Sequence, residues 1–453
     1  LTDNIGLAAL VAMGLVLLTG VGGMTSFGQA AFCGFGAYAT AVLTTAWGWS
    51  PWAALPVSLA VSGGAAVVLG LLTVRLSGHF LPLGTIAWGL ALYYLFGNLD
   101  ILGRHDGLSG IPPLSIGGFA LTDPRAVHWP IWGAVILAGI ATTRLLDSRV
   151  GRAIRALRRG QLAAEAFGID ASTTKLIVFV YAALLAGLSG WLYAHVQRTV
   201  TQTPFGLNAG IEYLFMAVVG GSGQIWGAVV GAGLVTLLKE VLQRVVPMVF
   251  GHSAQLEGVV FGVVLVALLQ LAREGLWPHL AALLPQRLRP APAPAEDLPR
   301  RAIDTTRKTP LLVLEGARKQ YGGLVAVNDV SFKVGRGEIV ALIGPNGAGK
   351  STTFNLITGV TRLTAGRVAF DGAEISGTSP QTIARRGVAR TFQHVKLNPD
   401  MTVLENVALG AHLRGRSGVI AAMLRLDRRD EARLLAEAAK QLERVGLAEH
   451  MMK

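Results

Sequence analysis

The sequence predicts a chain of two unlike parts, a polytopic α-helical membrane domain followed by a partial α/β domain of the P-loop type. Three observations predict it. Hydrophobic residues make up 52% of 453 residues and mean hydropathy is +0.50, a level that soluble domains do not sustain over such a length. The apolar residues gather in long runs before about residue 273, separated by short polar connections. Further on, Gly344-Pro345-Asn346-Gly347-Ala348-Gly349-Lys350-Ser351 fits G-x-x-x-x-G-K-[ST], with the β-type run Glu338–Ile343 directly before it and helical text from Thr352 to Thr358 directly after.

The first part, residues 1–275, is read as a membrane domain of about nine segments, near 5–20, 28–46, 52–74, 80–98, 126–146, 176–196, 208–222, 224–243 and 256–272. Several are shorter than the roughly 20 residues that a perpendicular helix needs. Broken or re-entrant helices fit such lengths where protein or a water-filled cavity surrounds the exposed backbone. Glycines recur in these runs, among them Gly36, Gly187, Gly190, Gly227 and Gly231, and are expected to permit close helix packing rather than to touch a ligand. Cys33, the single cysteine, lies in an apolar run and is expected to be a small buried hydrophobe, which excludes a disulfide framework within this chain.

Formal net charge is +13. In a nucleic-acid binder that surplus would gather with aromatics on a soluble module; here the arginines of the first part concentrate in one loop, residues 147–175, so nucleic acid is excluded as a partner and membrane lipid is expected. Arg149, Arg152, Arg155, Arg158, Arg159 and Lys175 place this loop in the cytoplasm. A nucleotide-binding second part is cytoplasmic too, so an even number of crossings separates the loop from Arg273. That parity requires a break at Gly220-Gly221-Ser222-Gly223. Counting backwards puts residues 98–127 and Leu1 outside. No positively charged stretch with a small-residue cleavage site precedes the first span, so no signal peptide is read, and the chain is expected to be cut at both ends.

Residues 276–310, rich in Pro, Ala and mixed charge, are expected to be a semi-extended linker. From 311 to 453 the text becomes that of an α/β domain. Leu311–Leu314, Val330–Val334 and Arg367–Gly372 look like strands, and an amphipathic helix starts near Arg425. In the P-loop the glycines let successive N–H groups turn inward toward the β- and γ-phosphates of a nucleotide. Lys350 adds a point positive charge, Ser351 offers a hydroxyl to Mg²⁺, and the helix starting at Ser351-Thr352 aims its positive dipole end at the same anion. ATP and Mg²⁺ are the expected cofactors.

Several stretches together resemble one family. The second part resembles the nucleotide-binding domain of an ABC transporter, so its class is a partial α/β P-loop NTPase, ABC-type. The resemblance implies that Tyr321, in ARKQYGGLVAVNDVSF, stacks on adenine, and that Gln393, in GVARTFQHVKLNPDMTVLENV, reaches the Mg²⁺ and the attacking water. That second stretch is similar to the ATPase of high-affinity branched-chain amino-acid importers. The first part resembles their permease, through GGMTSFGQAAFCGFGAYATAVL, GLSGIPPL, SRVGRAIRALRRGQLAAEAFGID and FMAVVGGSGQIWGAVVGAGLV. In such importers the third of these stretches supplies a coupling helix that docks in a groove of the ATPase beside the glutamine loop. Here Arg152 to Gly168 has that character, with Arg152, Arg155, Glu165 and Gly168 as the coupling residues.

The resemblance implies an importer component in a bacterial inner membrane, with permease and ATPase fused. A second permease subunit, a second ATPase subunit and an extracytoplasmic solute-binding protein are the implied partners. The sequence departs from the family after Gln393: no LSGGQ-like signature, no apolar strand ending in Asp-Glu and no switch histidine follow, so no catalytic base is assigned and hydrolysis is not expected of this chain alone. Leu188-Ser189-Gly190 and Leu108-Ser109-Gly110 match the signature by coincidence. Branched-chain amino acids are the leading cargo; urea, short amides or aromatic acids, or a non-transporting ATP-binding sensor, stay open. Among charged residues of the membrane part, Lys239 is expected to snorkel and Glu240 to pair with Arg244, in preference to a place for Glu212, Lys239, Glu240 or Glu257 on the translocation path.

Overall fold

The computed structural model describes residues 1–74, 76, 78–117, 119–250, 254–272, 274–283, 292, 296, 298, 309–393 and 397–453. The chain divides into two units, Leu1–Asp147 with Ser172–Leu288, and Ser148–Ala171 with Arg289–Lys453. Most of the expected linker, together with Arg273 and the side chain of Glu257, lies outside the described residues.

The first unit is helical: α1 (Thr2–Leu15, continued by a π-helical Val16–Val21), α2 (Gln29–Thr45), α3 (Pro51–Thr73), α4 (Phe80–Asn98), α5 (Pro124–Leu146), and, after two helices that belong to the second unit, α8 (Ala171–Gln197), α9 (Leu207–Gly221), α10 (Ile225–Phe250), α11 (Ala254–Leu271) and a short α12 (Trp277–Ala281). Each expected span has its helix. Local chemistry sets several starts. Ser50 accepts from the Ala53 N–H ahead of Pro51, and Asp123 accepts from the Arg125 N–H ahead of Pro124, each satisfying an orphan donor of the first turn.

α1 is the central helix, with 89% of its apolar window buried, whereas the corresponding share for α3 and for α4 is 28%. Outward-facing Val68, Leu72, Phe80, Leu83, Leu137 and Val263 are exposed, as a surface in hydrocarbon requires. Inside, helices meet backbone to backbone. A Cβ on Gly36 would lie 2.2 Å from the Gly187 oxygen, and one on Gly231 would lie 1.9 Å from the Met216 oxygen, so these positions admit only glycine. Cys33 is buried in α2 as expected, and Ser189 donates to the Leu7 oxygen at 2.8 Å, a helix-packing role.

The loop between α1 and α2 turns inside the helical layer. The Phe27 N–H donates to Thr85 Oγ1 at 3.1 Å and Gly28 packs on Trp88, so α2 starts about 8–12 Å along α4 rather than level with its end. α1 with its continuation and α2 are each unbroken, and the irregular backbone between them is tolerated because Ser26, Gly28 and Gln29 are buried in protein.

Two groups of loops mark the ends of the layer. At one end Asp3 meets His128 at 2.9 Å, Trp52 Nε1 donates to the Ser115 oxygen at 2.6 Å, and β1 (Leu108–Ser109) pairs with β4 (Thr199–Val200), next to a small ribbon of β2 (Ser115–Ile116) and β3 (Phe119–Ala120). At the other end of α1, Gly20 abuts Gly223, and the Leu276 N–H donates to the Val219 oxygen at 2.9 Å. The break required by parity falls at Ser222-Gly223, where α9 ends and a tight hairpin into α10 begins. Glu240 pairs with Arg244 at 2.6 Å as expected. Lys239 departs from expectation: it does not snorkel but reaches Glu212 on α9, because a fixed counter-charge one helix away outcompetes a distant interface.

The second unit holds α6 (Arg149–Arg159) and α7 (Gln161–Ala166) together with the chain from 309. Its sheet runs β6-β5-β7-β8, all antiparallel, built from β5 (Leu312–Tyr321), β6 (Leu324–Val334), β7 (Ala365–Phe370) and β8 (Ala373–Glu374). Gly322-Gly323 closes the β5–β6 hairpin, with Gly322 at φ +56°. The three expected strands are all present, longer than their apolar runs. One expectation fails: Glu338–Ile343 is not a strand. Ile339 is 97% and Ile343 88% exposed, and no strand among the described residues offers them a ladder; a β-type run without a partner has nowhere to place its N–H and C=O groups.

The helices of this unit are α13 (Lys350–Ile357), α14 (Pro380–Arg386), α15 (Val403–Ala408), α16 (Val419–Met423) and α17 (Arg428–Arg444). α17 is the amphipathic helix read from Arg425 onward; its Ala438, Ala439 and Leu442 pack on Leu404 and Ala408 of α15. For the first unit we predict that, in a Cys33→Ala background, a cysteine at Ser222 reacts with an impermeant thiol reagent only from the cytoplasmic side. A cysteine at Ser115 should react only from outside; labelling of both from one side would refute the two-ended layer.

Candidate functional site

The phosphate loop follows β6 and turns into α13. Gly347 and Gly349 have φ of +86° and +84°, a region closed to most side chains, and a Cβ on Gly349 would lie 2.3 Å from the Ala326 oxygen. The loop is therefore shaped by glycine where a ligand's phosphates would need close backbone approach. The Lys350 ammonium donates to the carbonyls of Gly344 and Pro345 at 2.6 Å each, which holds it over the loop. Thr353, buried behind, donates to the Gly349 oxygen at 3.1 Å and ties the first turn of α13 to the loop.

Lys350 and Ser351 open onto a cleft of about 1190 Å³, which Gln393 also lines, together with Phe354, Gln161 and Leu162. A nucleotide fits such a volume. Arg390 braces the strip that carries Gln393, donating to Asn355 Oδ1 at 2.5 Å and Thr358 Oγ1 at 3.2 Å on α13 and the turn after it. The Ser351 hydroxyl and the Gln393 side-chain amide both line this cleft and are oxygen donors of the kind that Mg²⁺ takes beside the phosphates of a nucleotide. Pro345, Asn346, Ala348 and Thr352 stand in the loop and first turn as the spacing requires. Tyr321 stands apart: it ends β5, is 48% exposed with Lys319 Nζ 4.8 Å from its ring centre, and does not line the cleft.

Beside the cleft lies the arginine-rich helix. Ser148 caps α6, accepting from the N–H groups of Val150 and Gly151, and the helix buries Ala153 and Leu157 against Met401 and Leu409. Its polar face meets acidic residues. Arg152, 2% exposed, donates to Glu431 Oε2 at 2.8 Å. Its Nε and Nη2 are buried without a partner among the described residues, so Glu431 supplies the compensation for a buried cation. Arg149 donates to the carbonyls of His412 and Ser417 at 2.9 and 2.8 Å, and its own N–H donates to Glu431. Arg155 faces Glu405 at 3.7 Å while its carbonyl accepts from Asn398 Nδ2 at 2.9 Å, and Arg158 faces Asp400 at 3.4 Å. Glu405 is also held by a capping box with Thr402 at the start of α15.

Glu165 accepts from Gln161 Nε2 at 2.8 Å. Gly168, at φ +83°, lets the chain turn away from α7, with a Cβ there 2.4 Å from Leu413. The structure thus brings Arg152 and Arg155 to one acidic strip, and Gln161 and Leu162 to the cleft of Lys350, Ser351 and Gln393. Glu431, Glu405, Asp400, Asn398 and His412 were not singled out from the sequence. The available signal was charge complementarity between SRVGRAIRALRR and the segments NPDMTVLEN and RRDEAR.

Burial and the nearby cations of Arg149, Arg152 and Arg385 hold the His412 imidazole neutral, pushing it down to about 3. Asp430 is held below the usual carboxylate range by the N–H of Arg416 and by Ser417.

Profile comparisons match residues 4–269 to the family described as "Branched-chain amino acid transport system / permease component" and residues 327–453 to "ABC transporter". Among curated proteins the chain is similar to the high-affinity branched-chain amino acid transport ATP-binding protein LivG of Salmonella typhimurium, 46% identical over 143 residues, 31% of this chain and 56% of that protein. It is similar also to the permease protein LivM of the same organism, 27% identical over 258 residues, 52% of this chain and 61% of that protein. A solved ATP-binding cassette of an ABC transporter in its ADP conformation matches with 33% identity and a TM-score of 0.27, over 32% of this chain and 57% of that one. The chain thus spans little more than half the length of the curated relatives it matches.

Two measurements follow. Arg152→Ala should destabilise the protein by about 3–5 kcal/mol in denaturant unfolding, and a double-mutant cycle with Glu431→Ala should recover much of that loss, since the second change removes the stranded carboxylate. An additive cycle would show that the two charges do not interact. Because the folded state leaves His412 unprotonated while the unfolded chain takes up a proton near 6.5, stability should rise with pH between about 3 and 6.5, with about 2 kcal/mol lost on acidifying from pH 7 to pH 5. His412→Gln should flatten that slope.

Proposed function

Because this chain belongs to the family of branched-chain amino acid transport system permease components and carries an ABC transporter segment in the same polypeptide, we propose that it is the membrane component of an ATP-driven importer for branched-chain amino acids. It joins a translocation domain to ATP binding and works as a multi-pass protein of a bacterial inner membrane with its ATP-binding part in the cytoplasm. The single observation that carries the reading is the cleft shared by Lys350, Ser351, Gln393 and the Gln161–Leu162 corner that follows the arginine-rich helix.

The residues divide by task. Backbone N–H groups of the loop from Asn346 to Thr352 would bind phosphate, Lys350, now on the carbonyls of Gly344 and Pro345, would add its positive charge there, and Ser351 with Gln393 would hold Mg²⁺. When bound, Mg-ATP would supply the phosphoryl group and the negative charge that these residues neutralise. Tyr321, outside the cleft, would meet only an adenine that projects beyond it. Gln393 reports the nucleotide to the Gln161–Leu162 corner, and Arg152, Arg155, Glu165 and Gly168 hold that corner and its helix in register. The partners are a second permease subunit, a second ATPase subunit completing the nucleotide site, and an extracytoplasmic solute-binding protein. Nucleic acid is not a partner.

In cells lacking their own leucine uptake, this protein with its partner subunits should restore ATP-dependent accumulation. Lys350→Ala should lower nucleotide binding by about a hundredfold, the loss of a charge-assisted contact, and abolish accumulation while leaving membrane insertion intact. Uptake unchanged in that variant would overturn the proposal.

A further inference from the structure

On the hairpin of α9 and α10, the Lys239 ammonium donates to both carboxylate oxygens of Glu212, at 2.8 and 3.0 Å. The pair is not covered: 47% of the Lys239 side chain and 29% of the Glu212 side chain are exposed. Measured by helical rise from the helix ends at Gly221 and Ile225 that flank the turn, Glu212 lies about 14 Å and Lys239 about 21 Å along the span. With the reach of the two side chains this is near the middle of a hydrocarbon layer roughly 30 Å thick. A half-open ion pair facing lipid at that depth is costly. It is not needed to close the hairpin either, because Gly220, Gly227 and Gly231 already bring the two backbones into contact, with a Cβ on Gly220 1.9 Å from the Gly227 oxygen.

We propose that Glu212 and Lys239 form a recognition site for a zwitterionic amino acid on the translocation path, Glu212 accepting the α-ammonium and Lys239 donating to the α-carboxylate. The proposal rests on the importer reading above and sharpens it. One ion pair and one zwitterion exchange into two ion pairs, so every charge stays matched while the ligand moves through the low-dielectric layer. A neutral amide or urea opens the pair without returning any charge. An aromatic acid supplies a partner for Lys239 and leaves Glu212 stranded. Of the cargoes compatible with the sequence, only amino acids satisfy both groups.

The complete transport system in proteoliposomes tests this. The double variant Glu212→Gln with Lys239→Gln removes both charges together and strands neither. Leucine uptake should fall about tenfold or more while protein abundance and subunit assembly stay at wild-type levels. Uptake at the wild-type rate overturns the site. Should the double variant fail to accumulate, the intact pair is examined through Thr236→Cys, one turn from Lys239 on the same helix, in a Cys33→Ala background. Its thiol should react with a hydrophilic, impermeant reagent, and leucine but not urea should slow the reaction. No reaction, or disulfide-linked dimers through position 236, overturns the proposal, since the pair then faces lipid or a second subunit. Failure of the unaltered system to take up leucine counts against the importer reading itself, whereas failure of the variant arms alone counts against this site.

Discussion

A charge withdrawn from water has to be met by a counter-charge, and both units of this protein are arranged around that requirement. In the second unit the guanidinium of Arg152 is almost fully buried, and Glu431, from nearly the other end of the chain, lies against it. Without that carboxylate the apolar face of α6 could not settle on Met401 and Leu409, because the arginine on its other side would be stranded. Arg149, Arg155 and Arg158 extend the same match to carbonyls and to Glu405 and Asp400. In the first unit the constraint appears as Lys239 on Glu212, where the low dielectric of a membrane makes the pairing more demanding still.

The phosphate loop obeys a different economy. Its form is local: glycines at positive φ, a lysine turned over the loop carbonyls and the N-terminus of α13 together make an anion cradle from a run of consecutive residues. What surrounds the cradle is assembled from far away. Gln393 comes from the strip that Arg390 fastens to α13, and Gln161 and Leu162 from a corner nearly 190 positions before the loop lysine, the distance in sequence from 161 to 350. Phosphate loop, glutamine and corner thus face one cleft within one unit.

The sequence made a good deal of this legible. Long apolar runs marked every helix of the first unit except the short α12, which forms at the start of the stretch expected to be a semi-extended linker, and a parity argument from the arginines of residues 147–175 located the Ser222-Gly223 break, since positive charge and hydrocarbon length are properties of the residues themselves. The run Glu338–Ile343 was misread because β-propensity describes fitness for a sheet, not the presence of a neighbouring strand. Lys239 was misread because snorkelling is a local option, and Glu212 becomes an alternative only when α9 and α10 fold back on each other.

By itself the sequence determined the helical layer, the phosphate loop and the basic face of α6, because hydropathy, glycine spacing and charge act over a few residues. Only the tertiary structure decided which carboxylates meet those arginines, that Gln393 shares a cleft with Lys350 while Tyr321 stands outside it, and that an ion pair is held half open between α9 and α10. Those outcomes depend on approach between residues far apart in the chain, and the energy of a charge depends on what lies within a few ångströms of it rather than on its neighbours in sequence.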